Sequence, residues 1–236
     1  MWRQPRAAVP AADQTPDHLP AHLPGLIQQA GRFYTGRYYA ADAGRTWTAT
    51  GPQRVTSIAV APDRAVYLGA HHCPVHVSTD GGETWTARTS PQGYQGGLAA
   101  CERGPLYSAV PEQLLCRSRD GGATWDSTSL QYTALCITQT PGGALLADTP
   151  DGPVYRSTDN GGHWSAARPP EVSPVRAIVA SGNYLLAGGG ALWVSANDGR
   201  DWAPVKVPAQ ILCLAADSHG RTCAGTANGV RIAVLQ

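Results

Sequence analysis

The chain has 236 residues, room for one large domain or two small ones, and its 18 basic and 17 acidic side chains leave a net charge of +1. That balance provides no global field to draw in nucleic acid or an anionic membrane, and no apolar run approaches the ~20 residues of a membrane-spanning helix. Charged residues are only 15% of the chain, while glycine (27) and proline (19) are abundant, which suits many short strands joined by tight turns.

The first residues, MWRQPRAAVP, are basic but contain no apolar h-region. No secretory signal is visible, so the literal expectation is a cytoplasmic protein, exported only if the chain is a processed form. Residues 7–25 are proline-rich and read as a stiff loop. From residue 26 to 236 the chain is periodic. Apolar stretches of four to six residues, bounded by Gly, Pro, Asn or Asp, recur in the same order and read as strands; no segment has a convincing helical period. In one period TSIAVA, AVYLGA, PVHVS and TWTART follow each other; ALCIT, ALLADT, PVYRS and HWSAA repeat the order, as do AIVAS, YLLAG, ALWVS and DWAPV.

Five periods carry an octet between the third and fourth strands. They read STDGGETW (Ser78, Asp80, Trp85), SRDGGATW (Ser118, Asp120, Trp125), STDNGGHW (Ser157, Asp159, Trp164) and SANDGRDW (Ser195, Trp202), with an earlier AADAGRTW (Asp42, Trp47). The tryptophans at 47, 85, 125, 164 and 202 are separated by 38, 40, 39 and 38 residues. Ser and Asp side chains can satisfy the backbone donors of a tight loop, Gly permits the positive φ of a reversal, and Trp offers a large apolar face with one polar handle.

The octets resemble the Asp-box, or bacterial neuraminidase, repeat S-x-D-x-G-x-T-W, and the resemblance covers nearly the whole chain. It implies an all-β propeller of four-stranded antiparallel blades, in a superfamily that includes sialidases, xyloglucan hydrolases, sortilin-type receptors and photosystem II assembly factors. In that family the boxes lie on the face opposite the ligand, so their aspartates are expected to be structural. Ala40, Asn197, His163 and Asp201 depart from the pattern, so looser turns are expected in the first and last boxes.

At about 39 residues per repeat, 236 residues make six blades; seven blades or an unclosed ring are the alternatives. The last period, ILCLAA, GRTCAGT and GVRIAVLQ, supplies three strands and no box. Trp2 precedes RQPRAAVP much as Trp202 precedes APVKVP, so residues 1–6 are expected to form the outer strand of the closing blade. On this reading the whole chain is one domain. Trp2 in a loose tail is the competing reading.

Ligands are expected on the face opposite the boxes, in the loops around Arg54, Tyr94, Gln95, Tyr132 and Arg176 and in HHCPVH with His71 and His72. That cluster also holds Cys73 and His76, but adjacent histidines of an extended loop point apart, so exposed loop residues are favoured over a metal site. No metal and no cofactor is assigned. The six cysteines (Cys73, Cys101, Cys116, Cys136, Cys213, Cys223) are spread singly and read mostly as small buried hydrophobes. No F/Y-R-I-P motif occurs, Glu83 lies inside a box, and Arg54 and Arg176 supply at most two of the three arginines of a sialidase clamp. No catalytic residue is therefore assigned. The expected function is a non-catalytic binding or assembly scaffold for a protein or glycan partner, possible as part of a larger complex, with a minimal sialidase-like glycoside hydrolase as the alternative.

Overall fold

The computed structural model describes residues 27–29, 31–42, 44–70, 73–89, 97–101, 105–109, 115–134, 136–149, 153–167, 175, 177–207, 210–216, 221–226 and 229–234. The expected closing strand 1–6 with Trp2, and the loop 7–25, lie outside the described residues. The described residues form strands β1 to β23 and no helix. They divide into two compact units, the first ending at Thr133 and the second starting at Ala134.

The first unit contains three antiparallel sheets. The first joins β1 (Ile27–Gln29), β2 (Arg32–Thr35), β3 (Tyr38–Ala40) and β4 (Thr48–Ala49). The second joins β5 (Val55–Val60), β6 (Val66–Ala70), β7 (His76–Ser78) and β8 (Thr86–Ala87). The third joins β9 (Gly97–Ala100), β10 (Leu106–Ala109), β11 (Cys116–Ser118) and β12 (Asp126–Ser127).

The second unit repeats the plan. Its first sheet is β13 (Cys136–Gln139), β14 (Leu145–Asp148), β15 (Tyr155–Ser157) and β16 (Ser165–Ala166). The next is β17 (Ala177–Ser181), β18 (Tyr184–Gly188), β19 (Leu192–Ser195) and β20 (Ala203–Val205). The final sheet has three described strands, β21 (Ile211–Ala216), β22 (Arg221–Thr226) and β23 (Gly229–Val234).

Within each sheet the strands pair in chain order, as the repeated apolar runs require. The second strand of a sheet is the most deeply buried: every residue of β6, β10 and β14 is buried. These strands are covered on both faces, which is why they read as unbroken apolar runs and not as alternating ones. Leu145, Leu146 and Ala147 of β14 are all buried, and Leu146 shares one core cluster with Val154, Val175, Ile178, Leu185, Ala187, Trp193 and Trp202. In the first unit Ala59, Tyr67, Val75, Val77 and Leu106 form the corresponding layer between the second and third sheets, with Trp125 against it. The outer strands β4, β8, β12 and β16 are two exposed residues each. Such short edges offer little backbone for unwanted strand pairing.

Candidate functional site

Each box turns the chain from a third strand into its outer strand, as expected. In the box after β7, Ser78 Oγ donates to Asp80 Oδ1 (2.7 Å) and accepts from Gly82 N (2.7 Å). The amides of Glu83 and Thr84 donate to Asp80 Oδ1 at 3.0 Å each, and the Thr84 hydroxyl donates to the other oxygen. Gly81 and Gly82 adopt φ values of 78° and 90°, the left-handed region that makes the reversal possible. The box after β11 repeats the scheme with Ser118, Asp120, Gly122 and Thr124. The donated bonds, above all those from Thr124, hold Asp120 down to about 2. Asp80 is likewise pulled far below the carboxylate range, first by Thr84, and Asp42 is lowered by its bonds from Thr46. These carboxylates serve their own loops.

The departures from the pattern have physical solutions. In the box after β15, His163 replaces Thr, and its Nδ1 faces Asp159 Oδ2 at 2.6 Å while its backbone N donates to Oδ1 at 2.8 Å. The last box is not looser than the others, contrary to expectation, because its donor and acceptor have changed places. Asn197 Oδ1 accepts from Ser195 Oγ (3.1 Å) and Asp201 N (2.9 Å), and Asn197 Nδ2 donates to Asp201 Oδ2 at 2.7 Å. The first box lacks the serine hydroxyl at Ala40, yet Asp42 still binds Arg45 N and Thr46 N at 2.9 Å each.

The box tryptophans are wedged in place to different degrees. Trp85 Nε1 donates to Thr50 Oγ1 of the preceding sheet (3.1 Å) and to Gly82 O (3.2 Å), and Trp125 Nε1 donates to Thr89 O of the preceding sheet (3.2 Å). Trp47 Nε1 donates to Gly44 O at 3.1 Å. Trp202 is buried in the apolar layer described above. Trp164 and Trp202 differ: their Nε1 atoms are buried without a hydrogen bond among the described residues.

A second set of contacts, which no sequence motif announced, ties three of the boxes to the sheet before them. Arg32 on β2 donates to Gly81 O (2.6 Å) and pairs with Glu83 Oε1 (2.8 Å). Thr50 donates through its hydroxyl to Gly82 O, and Thr89 donates to Gly122 O (3.0 Å) and Ala123 O (2.6 Å). In the second unit Arg156 on β15 donates from Nε to Asp198 O (2.8 Å) and from Nη2 to Asp198 Oδ2 (2.8 Å). Gly142 N adds a 3.1 Å bond to Asp198 Oδ1. Burial raises the Asp198 carboxyl, but hydrogen bonds from Thr140, Arg156 and Gly142 outweigh it, and the net displacement is downward.

Of the residues singled out for the opposite edge, Arg54 and Tyr132 are described. Arg54 sits between β4 and β5, exposed and at φ 58°; Tyr132, between β12 and β13, is 53% exposed. Both occupy connections from an outer strand to the next inner strand. His71, His72, Tyr94, Gln95 and Arg176 lie outside the described residues. Next to the histidine pair, Cys73 is a half-buried free thiol and His76 Nδ1 meets Pro74 O at 2.9 Å. Among the described residues no three His, Cys, Asp or Glu side chains gather as a metal-binding group. Cys101 and Cys116 are buried and outside any disulfide, and burial pushes Cys101 up to about 12. Cys213 departs from the expected burial and is exposed on β21. Sequence reasoning also missed Asp148, a carboxylate 1% exposed at the end of β14 away from the boxes. It stands in an apolar run, so nothing local marked it.

Residues 76–87, the strand β7, its box and β8, match the BNR/Asp-box repeat model. No curated protein matches the sequence. Among solved structures, the chain is similar to the extracellular domain of a one-component system from B. thetaiotaomicron, with a TM-score of 0.70 and 15% identity over 89% of this chain and 32% of that one. The chain thus spans about a third of that protein's length. It is also similar to the GH74 xyloglucanase from Xanthomonas campestris (TM-score 0.63, 17% identity, 88% of this chain and 41% of that one). A third likeness is YCF48 from Cyanidioschyzon merolae (TM-score 0.59, 15% identity, 78% of this chain and 67% of that one). At these identities the likeness is one of fold. No helix among the described residues is long and apolar enough to cross a membrane. The chain carries Asp-box repeats on a fold of the β-propeller class.

Proposed function

We propose that this chain is a non-catalytic β-propeller scaffold of six blades that presents the edge opposite its Asp boxes to a protein or glycan partner. One observation carries the reading: the box aspartates Asp80 and Asp120 are bonded by donors of their own octets, and the exposed aromatic and guanidinium groups, Tyr132 and Arg54, stand on connections at the other edge. Tyr and Arg are the side chains most enriched where protein surfaces meet. Tyr94, Gln95, Arg176, His71 and His72 would belong to the same edge.

Six described sheets and a repeat of about 39 residues support the blade number. The last sheet has three described strands where the others have four, and residues 1–6 would supply the fourth. Deleting the first nine residues, or Trp2→Ala, is expected to lower the melting temperature by many degrees; an unchanged melt removes the closure. The binding role is tested by affinity capture from the native source with the intact chain. One stoichiometric partner, weakened by Tyr132→Ala and by Arg54→Ala without a change in melting temperature, supports it.

Glycoside hydrolysis is the competing reading, and Asp148 is the observation that favours it. A buried carboxylate near a ligand edge is half of the pair such chemistry requires. Turnover of a panel of fluorogenic glycosides, sialosides included, that is lost on Arg176→Ala would replace the scaffold reading.

A further inference from the structure

The box edge of the second unit carries an open depression of about 430 Å³, lined by Pro141, Gly142, Asn183, Ala196, Asn197, Asp198 and Arg200. Three turns build it: the β13–β14 turn at Pro141–Gly142, the β17–β18 turn at Asn183, and the last box. The size suits a small organic molecule.

Its floor is rigid and electrically quiet. Asp198 is fixed by Arg156 Nη2 at 2.8 Å and by Gly142 N at 3.1 Å, and Arg156 also holds the Asp198 carbonyl. The guanidinium neutralises the one carboxylate of the lining. A side chain at position 142 would strike that carboxylate, since a Cβ there would lie 2.8 Å from its atoms.

The other four boxes carry an aspartate (Asp42, Asp80, Asp120, Asp159) at the position that Asn197 fills here. An anion approaching any of those loops meets a carboxylate. At the last box that position is a carboxamide whose N–H donates to Asp201 at 2.7 Å, so the carboxylate of the octet is moved to Asp201, outside the lining of the depression. Arg200, two residues beyond Asp198, is exposed, and among the described residues its guanidinium makes no ion pair or hydrogen bond; the exposed Asn183 side chain is equally uncommitted. An unengaged planar guanidinium beside a free carboxamide, over a neutral floor with Pro141 and Ala196 as walls, is suited to bidentate pairing with a carboxylate whose carbon skeleton rests on the walls.

We propose that this depression is a binding site for a small organic carboxylate, held by Arg200 and Asn183, on the box edge of the second unit. It stands independently of the scaffold reading. The test titrates the isotope-labelled full chain with sodium D-gluconate, with D-glucitol as the uncharged counterpart and sodium sulfate as the inorganic anion. The expected result is a saturable shift of the Asn183 and Arg200 amides with gluconate, none with glucitol, and weaker, unsaturated shifts with sulfate. Arg200→Gln should weaken gluconate at least ~tenfold, the loss of one charged hydrogen-bonding pair, and leave the melt unchanged, as an exposed side chain should. Asn183→Ala provides a second variant, with a smaller loss. No saturable gluconate shift up to ~50 mM, equal shifts with glucitol or sulfate, or full affinity in Arg200→Gln would each overturn the proposal.

Discussion

Arg156 grips Asp198 twice, with its Nε on the carbonyl oxygen and its Nη2 on the carboxylate, each at 2.8 Å across 42 residues of sequence. The two side chains keep only 13% and 23% of their exposure, so water screens the pair weakly. Removing the cation as Arg156→Met leaves a part-buried carboxylate. The expected cost is about 2 kcal/mol, between the surface and buried cases, or roughly 4–8 °C in melting temperature for a chain of this size. Asp198→Asn should cost less, and a double-mutant cycle by thermal melts should show coupling between the two sites. Independent, additive losses would contradict the latch.

The carboxyls of Asp42, Asp80, Asp120, Asp159 and Asp198 all lie below their ordinary values. A lowered folded-state value means that the unfolded chain takes up protons first as pH falls. The stabilisation is therefore complete above the ordinary carboxylate value of ~4 and is lost as pH drops through the folded values, which reach about 2 at Asp120. Melting temperature should be flat from pH 7 to about 5 and fall steeply below ~4. A fall that begins above pH 5 would point to other groups.

The exchanged polarity of the last box gives a sharp mutational test. Asn197→Asp places a carboxylate against Asp201 Oδ2, which now receives a bond from Asn197 Nδ2 at 2.7 Å. Like charges at that range should lower the melting temperature by several degrees at neutral pH, with part of the loss recovered on acidification as the pair comes to share a proton. Adding Asp201→Thr rebuilds the common octet and should restore the melt. Failure of the double variant to recover would mean that the box depends on more than its own eight residues.

Gly142 and Gly188 are required by neighbours and not by backbone twist. A Cβ on Gly142 would lie 2.8 Å from the Asp198 carboxylate, and one on Gly188 would lie 2.5 Å from Ile211 Cγ2. Gly142→Ala and Gly188→Ala are each expected to cost about 1–3 kcal/mol, the range for overpacking, read by chemical denaturation. Gly142→Ala should also remove most of the effect of Arg156→Met, because both act on one carboxylate.

The threonine straps predict a smaller, repeated effect. Thr89 donates to Gly122 O and Ala123 O in the next box. Thr89→Val keeps the shape, removes the donor, and should cost about 1 kcal/mol. Hydrogen exchange at Gly122 and Thr124 should quicken more than at the equivalent amides of the box around Asp159.

The sequence made the boxes readable because each closes on itself. Ser118, Asp120 and Thr124 complete their hydrogen bonds within seven residues, so the octet states its own geometry. The strands were readable for the related reason that doubly covered strands such as β6 and β14 are apolar throughout. The latches were not: Arg32 and Glu83 are 51 residues apart, and Arg156 and Asp198 occupy positions that vary freely from repeat to repeat. Asp198 becomes informative only when folding brings it to Arg156. The depression beside Arg200 was invisible for the same reason, since its three turns come from separate stretches of chain. For Arg54 and Tyr132 the sequence offered residue type and loop position alone.

The latches on the box loops share one direction. A side chain from one sheet (Arg32, Thr50, Thr89, Arg156) takes hold of the loop of its successor. Head-to-tail bonding of this kind has no natural terminus: it comes back upon itself or it continues without limit. Fragments cut between repeats would carry a hook at one end and an eye at the other, and the fate to guard against in dissecting this chain is end-to-end polymerisation.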